Sequence, residues 1–180
     1  MMPSLPSPVA ARLIVITAKW ALLGPALLGF VTVLRRRKWR CDGIEAIIAG
    51  SATIVIVKIS AALYSHARPF VVLHTTPLIA HIPDNAFPSD HLAACGLTVG
   101  FLWSRSRAAA LVAAAFALAL GTARVMAGLH WPIDVELGFI EGLVGSSAGW
   151  ITAALITPNN ERENVRTAIG PDEAAITEKT

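Results

Sequence analysis

Residues 108–156 read AAALVAAAFALALGTARVMAGLHWPIDVELGFIEGLVGSSAGWITAALI, and this stretch decides the fold class. Its two apolar runs, 108–129 and 132–156, are each long enough to cross a bilayer, since a transmembrane helix needs about 20 apolar residues. Pro132 suits the first turn of the second run, because a missing N–H costs no hydrogen bond there. The stretch therefore predicts two membrane helices joined by a short turn.

The composition of the 180-residue chain also indicates a membrane protein. Hydrophobic residues make up 54% and charged residues 15% of the chain, whereas a soluble domain has about 25% charged residues. This argues against a disordered protein, a small disulfide scaffold and a nucleic-acid binder built on a basic face. The formal net charge of +3 does not indicate nucleic acid, because the basic residues lie in short clusters between apolar runs. We expect no nucleic-acid partner.

Three further apolar runs extend the prediction to an all-α, polytopic bundle of about five transmembrane helices. They cover residues 13–34, 43–64 and 89–103. Basic clusters follow the first and third runs, at residues 35–40 and 104–107. The positive-inside rule places both clusters in the cytoplasm. With the N-terminus outside, the two clusters fall on the same side of the membrane, as the rule requires.

The chain is expected to contain a single membrane-embedded domain over residues 1–156. Residues 65–87 contain three prolines and are too broken to cross the membrane, so this segment is predicted to be external. The tail, residues 157–180, is polar and charged. We expect it to be cytoplasmic and mobile.

Polar side chains gather at the outer ends of the predicted helices. Charged residues within a membrane span are costly and usually functional. Three cations, two histidines and one carboxylate can together bind an anion and supply a nucleophile and an acid. These residues are Lys58, Arg68, His91, Arg124, His130 and Asp134.

Local spacing sharpens this prediction of an anion site. In the stretch 88–91 (PSDH), Ser89 can cap a helix, and the free N–H groups at such a helix start form a phosphate seat. His130 and Asp134 are four residues apart, so on a helix they share a face, and the carboxylate can hold the second imidazole nitrogen. Arg68 suits a bidentate grip on phosphate oxygens.

In this order, the residues resemble the three-part signature of the type 2 phosphatidic acid phosphatase (PAP2) superfamily. The stretches 84–91 (DNAFPSDH) and 130–134 (HWPID) are similar to those of the bacterial undecaprenyl-diphosphate phosphatases. The matching parts are Lys58…Arg68-Pro69-Phe70, Pro88-Ser89-Asp90-His91 and Arg124-x5-His130-x3-Asp134.

The chain departs from the signature at the lysine. The family's lysine lies seven residues before the arginine, and that position is Ala61 here. Lys58 is about one helical turn earlier and is expected to face the same way, so it is predicted to substitute.

The resemblance implies a role for each matching residue. His130 would attack phosphorus and form a phosphohistidine, Asp134 would orient it, and His91 would protonate the leaving oxygen and then activate water. No metal or other cofactor is implied. The phosphoryl oxygens would be held by Lys58, Arg68, Ser89, Asp90 and Arg124.

The resemblance further implies hydrolysis of undecaprenyl diphosphate to undecaprenyl phosphate, in a bacterial inner membrane and with the site on the outer face. The partners would be this polyprenyl diphosphate and membrane lipids. Other substrates stay open: phosphatidic acid, phosphatidylglycerol phosphate or a lipid A phosphate. Phosphate transfer to a lipid acceptor also stays open, as does a non-catalytic membrane protein that binds anions or lipids. A covalent phosphohistidine would separate the enzymes from the last of these.

Overall fold

The protein is an all-helical bundle. The computed structural model describes residues 6–36 and 38–156, so the predicted tail, residues 157–180, lies outside the described residues. The described helices are α1 (Pro8–Trp20), α2 (Leu23–Arg36), α3 (Trp39–Leu63), α4 (Pro69–Val72), α5 (Asp90–Trp103), α6 (Arg107–Met126) and α7 (Pro132–Ile156).

Within the described residues, four stretches are long and apolar enough to cross a membrane. They are Pro8–Arg36, Cys41–Leu63, Arg107–Met126 and Pro132–Ile156. The remaining predicted span corresponds to α5, which has 14 residues and is shorter than the roughly 20 that a full crossing needs. Because α5 packs against α2, α3, α6 and α7, protein rather than lipid covers most of it. The predicted membrane bundle is confirmed.

The first predicted span, residues 13–34, is divided into two helices. The helix breaks at Ala21 and Leu22, and Pro25 lies in the first turn of α2. A proline is tolerated in the first turn of a helix but not in its interior, where it removes a hydrogen bond. Pro25 is therefore compatible with a new helix that begins at Leu23, just before it.

A row of glycines on α7 sets how closely the central helices approach. Gly145 and Gly149 face α3, where an added Cβ would lie 2.9 Å from Thr53 Cα and 2.8 Å from Ala49 Cα. Gly142 faces α5, where a Cβ would collide with the backbone carbonyl of Ala93. Small residues let helices in lipid pack through their backbones. The glycines therefore hold α3 and α5 against α7.

An ion cluster joins α3 to the turn between α5 and α6. The Arg105 guanidinium donates to Asp42 Oδ1 at 2.8 Å and to Glu45 Oε2 at 2.9 Å, and it lies 3.6 Å from the centre of the Phe101 ring. The Arg105 side chain is only 4% exposed. The sequence assigned this arginine to a cytoplasmic basic cluster, whereas the structure shows it neutralised by two carboxylates.

The order of the helices brings four of their ends together. The C-termini of α3 and α6 and the N-termini of α5 and α7 lie at one end of the bundle, opposite the Arg105 cluster. The segment 64–89, which includes α4 and the predicted external residues 65–87, covers this end. The polar residues predicted at the outer helix ends therefore belong to this end.

We predict that Gly142→Ala destabilises the bundle, because the new methyl group would meet the α5 backbone. Overpacking of this kind costs about 1–3 kcal/mol. The matched control is Gly50→Ala, since nothing lies within 4 Å of a Cβ at that helical position. Thermal unfolding in detergent should show a lower midpoint for Gly142→Ala and an unchanged or higher midpoint for Gly50→Ala. Equal midpoints would contradict the packing described above.

Candidate active site

His130 lies at the centre of the cluster of helix ends. It lies two residues before α7 and is 3% exposed. Its Nδ1 lies 2.9 Å from the carbonyl oxygen of Ala86. A carbonyl oxygen only accepts hydrogen bonds, so Nδ1 carries the proton and Nε2 of the neutral ring keeps its lone pair.

Two arginines approach the nitrogen that carries this lone pair. Arg68 Nη1 is 3.5 Å and Arg124 Nη2 is 3.3 Å from His130 Nε2. Burial lowers the pKa of the His130 imidazole, and the two guanidinium charges lower it further, although Asp134 acts in the opposite direction. His130 therefore presents an unprotonated nitrogen in a strongly positive setting.

Arg68 is held firmly from three sides. Its Nε donates to Asp84 Oδ1 at 2.6 Å, and its two terminal nitrogens donate to the carbonyl oxygens of Leu129 and Asn85 at 2.9 and 3.2 Å. Partial burial alone would raise the pKa of Asp84, but the hydrogen bond and charge of Arg68 outweigh it, aided by His81, and the pKa is lowered. Asp84 is therefore an anchor for Arg68.

Arg124 has fewer partners than Arg68. Its Nη1 donates to the carbonyl oxygen of Ala18 at 3.4 Å, and its buried Nε has no hydrogen-bond partner among the described residues. Like Arg68, Arg124 is 6% exposed. A guanidinium has five N–H donors, so the pair keeps unused donors that can bind an anion beside His130 Nε2.

The position of Asp134 differs from the expectation. Its Oδ2 is 3.7 Å from His130 Nδ1, and the orienting hydrogen bond to that nitrogen goes to Ala86 instead. Oδ2 accepts from the Trp131 N–H at 2.7 Å. This is one half of a capping box, in which the third helical residue binds the N–H that precedes the helix. Oδ2 thus caps α7, and the expected hydrogen bond between the Asp134 carboxylate and His130 is not formed.

Ser89 lies at the start of α5, beside α7. It is the N-cap residue and is fully buried, but its hydroxyl makes no capping hydrogen bond and has no partner among the described residues. Its N–H donates to the Asp134 carbonyl oxygen at 3.0 Å. The expected side-chain cap is absent, so the Ser89 hydroxyl is left unpaired beside the start of α7.

Asp90 and His91 form the first turn of α5. Asp90 is exposed and His91 is partly buried, and the structure gives neither side chain a hydrogen bond to another described residue. Both residues lie at the end of the bundle that carries His130. The helix start predicted from residues 88–91 is therefore present, with Ser89, Asp90 and His91 at the expected end of the bundle.

Lys58 stands apart from the cluster. The buried face of α3 runs through Thr53 and Val57, and Lys58 is exposed on an adjacent face. It makes no ion pair or hydrogen bond with another described residue. Ala61 lies on the inner side, where its carbonyl oxygen accepts from Asn85 Nδ2 at 3.4 Å. The structure thus does not bring Lys58 to the site, since three residues along a helix still leave a turn of about 60°.

His66 is not among the residues predicted for the site, but the structure places its ring against Asp134. His66 Nε2 is 2.8 Å from Asp134 Oδ1. A signal for this was present, because alternate residues of an extended segment point to one side, and His66 is two residues before Arg68. Ala67, between them, forms a β-bridge with Asn85.

No group of three or more His, Cys, Asp or Glu side chains comes together to hold a metal ion in the part of the chain that the structure describes. The independence from metal expected from the sequence stays a prediction.

Two curated relatives match part of the chain. The bacitracin transport permease protein BcrC of Bacillus licheniformis is 33% identical over 114 residues, which are 62% of this chain and 56% of that protein. Undecaprenyl-diphosphatase BcrC of Bacillus subtilis is 36% identical over 89 residues, 49% of this chain and 46% of that protein. The chain thus spans about half the length of these relatives.

The fold has a solved counterpart. The crystal structure of Aquifex aeolicus LpxE superposes with a TM-score of 0.63 at 22% identity, covering 81% of this chain and 87% of that chain. At this identity, the likeness concerns the fold. The family model of the PAP2 superfamily matches residues 44–160, which include every residue of the cluster around His130. The chain belongs to the PAP2 superfamily.

Proposed function

We propose that the protein is a membrane lipid phosphatase that hydrolyses undecaprenyl diphosphate to undecaprenyl phosphate through a phosphohistidine. The observation that carries the proposal is the position of His130 Nε2, 3.5 Å from Arg68 and 3.3 Å from Arg124. A phosphoryl group drawn to both guanidinium groups would lie against the nucleophilic nitrogen. Such positioning and charge stabilisation supply most of the catalysis of phosphoryl transfer.

The proposed reaction has two steps. His130 Nε2 attacks the terminal phosphorus, the bond from phosphorus to the bridging oxygen breaks, and the leaving prenyl phosphate takes a proton from His91. Water then gives a proton to His91 and attacks the phosphohistidine, which releases inorganic phosphate and restores His130. The unpaired Ser89 hydroxyl and the amides at the start of α5 would bind the phosphoryl oxygens, with Arg68 and Arg124 on the other side. Asp90 would contribute through its backbone amide.

A groove beside the site supports a lipid substrate. It has a volume of about 530 Å³ and is almost entirely apolar. Three of its lining residues neighbour the site in sequence, since Leu92 follows His91, Val125 follows Arg124, and Pro132 is two residues after His130. A diphosphate at His130 could therefore place its hydrocarbon tail along α5, α6 and α7.

The prenyl substrate is favoured over other lipid phosphates by a relative, because the matching Bacillus subtilis protein is named undecaprenyl-diphosphatase. We further propose that the protein resides in a bacterial inner membrane with the site on the outer face, in keeping with the two basic clusters that flank the first and third predicted spans. Phosphatidic acid, phosphatidylglycerol phosphate and a lipid A phosphate serve as the comparison substrates.

His130→Ala should abolish phosphate release from undecaprenyl diphosphate, by roughly 10⁴-fold or more, as expected when a covalent nucleophile is removed. The assay uses purified protein in detergent with EDTA present, and an acid-labile phosphate on histidine should be trapped in the wild type only. The control is His74→Asn, since His74 is exposed with φ of 50°, a conformation that asparagine tolerates. Activity of His130→Ala near the wild-type rate would contradict the proposal, and activity removed by EDTA would contradict metal independence.

The pH dependence of kcat/KM should follow the lowered pKa of His130. The reactive imidazole is the unprotonated form, so activity should persist as the pH falls through about 6.5, the ordinary histidine value, and decline only below it. Asp134→Asn removes the influence that raises this pKa, so the acidic limb should move to lower pH while the maximal rate falls. The substrate ionises identically in both assays, so a limb that stays in place or moves upward would contradict this role.

A bulky side chain in the apolar groove should weaken binding of the lipid tail and leave binding of the diphosphate group unchanged. Thr122 and Ala119 are both exposed on α6, but only Thr122 lines the groove. Thr122→Phe should raise KM for undecaprenyl diphosphate about tenfold, a size typical of a misfitted apolar pocket, and leave KM for isopentenyl diphosphate unchanged. Ala119→Phe is the control. Equal KM values for Thr122→Phe and Ala119→Phe with the long substrate would contradict this location for the tail.

A further inference from the structure

Asp134 is buried, and one of its two carboxylate oxygens takes no part in capping α7. The residue is 0% exposed. Its Oδ2 accepts from the Trp131 N–H at 2.7 Å, whereas Oδ1 has no hydrogen-bond partner among the described residues. His66 Nε2 lies 2.8 Å from Oδ1, in an alignment too oblique for a regular hydrogen bond. A buried carboxylate needs a compensating positive group, and the His66 ring supplies the atom in contact.

The His66 ring is held in place by its surroundings. Its Nδ1 is 3.2 Å from the Tyr64 hydroxyl, and the Tyr64 ring meets it edge-on at 5.3 Å. The backbone of His66 is fixed as well, since its N–H donates to Asn85 Oδ1 and its carbonyl oxygen accepts from the Ala86 N–H. The stretch that carries His66 is thus paired with the stretch that carries Ala86, whose carbonyl oxygen orients His130.

The hydrogen-bond partners indicate which nitrogen of His66 carries the proton. If Tyr64 donates its O–H to Nδ1, then Nε2 of the neutral ring carries the proton and faces Asp134 Oδ1. The opposite tautomer would direct a lone pair at a carboxylate oxygen 2.8 Å away, which is repulsive. A doubly protonated ring would also present a proton to Oδ1, so Nε2 is protonated in each favourable state.

We propose that His66 is a positioning residue that holds the Asp134 carboxylate in place through the proton on Nε2. With Oδ1 compensated by His66, Oδ2 remains 3.7 Å from His130 Nδ1. When His130 Nε2 bonds to phosphorus, the ring becomes cationic, and a fixed carboxylate at this distance stabilises that charge. This catalytic consequence rests on the proposed phosphatase function, whereas the contact between His66 and Asp134 does not.

The kinetic test compares two replacements of His66 under the assay described above. His66→Leu removes the proton donor, and His66→Gln keeps an N–H₂ group of similar reach. We expect His66→Leu to lower kcat by about 10- to 100-fold, the usual loss when a partner that orients an active-site group is removed, with KM changed by less than about threefold. His66→Gln should recover much of the rate, and His74→Asn should match the wild type.

The outcomes separate positioning from a merely structural role. A wild-type kcat in His66→Leu would overturn the proposal. Equal losses in the Leu and Gln variants, or a fall in the amount of folded protein that accounts for the lost rate, would also overturn it. A loss of kcat in His66→Leu together with its recovery in His66→Gln would support the proposal.

A second measurement decides the contact without any enzymatic activity. Two-bond ¹H–¹⁵N NMR correlations of histidine-labelled protein in detergent report which ring nitrogen is protonated, and His66→Gln identifies the His66 signals. We expect Nε2 of His66 to be protonated, and an Nδ1–H tautomer would overturn the proposal. If the wild type hydrolyses no lipid phosphate, the proposed function fails, and the NMR result still tests whether His66 Nε2 carries the proton that its contact with Asp134 requires.

Discussion

Two buried guanidinium groups directed at one imidazole nitrogen form the interaction on which the rest of the structure depends. Arg68 and Arg124 are each 6% exposed, and like charges this close and this buried are costly unless other groups compensate them. Arg68 has a carboxylate and two carbonyl oxygens, but Arg124 has one distant carbonyl oxygen and an unpaired Nε. The two arginines therefore place an excess of positive charge beside His130 Nε2, where a bound anion would restore the balance.

At the opposite end of the bundle, the charge of a buried arginine is fully compensated. Arg105 is buried to a similar extent, yet two carboxylates, from Asp42 and Glu45, accept from it in four hydrogen bonds, and the carbonyl oxygen of Phe101 accepts a further one. This cluster ties α3 to the turn between α5 and α6, so its charges are used for structure. Comparison of the two ends thus separates an arginine that holds helices together from one that is available to an anion.

Much of the fold, and the gathering of most of the predicted site residues at one end of the bundle, could be predicted from the sequence, because both depend on residue type and spacing. The lengths of the apolar runs predicted the long helices, and α7 begins and ends where predicted. The path of the segment 64–89 could not be predicted, since its contacts join residues far apart in sequence. The orienting bond to His130 comes from the carbonyl oxygen of Ala86, a group that every residue carries. The position of Lys58 could not be predicted for a related reason. Residues three apart on a helix differ in direction, and the packing of α3 decides which of them faces the site.

Asp134 shows how the start of a helix joins structure to chemistry. Its capping bond to Trp131 fixes the carboxylate relative to α7, and therefore relative to His130, which directly precedes Trp131. Its carbonyl oxygen accepts from the N–H of Ser89, which ties the start of α5 to the same point. Gly138 permits this contact, because a Cβ there would lie 2.6 Å from the Ser89 carbonyl oxygen. His130, the proposed nucleophile, and the α5 amides proposed to bind phosphate are thus both tied to Asp134.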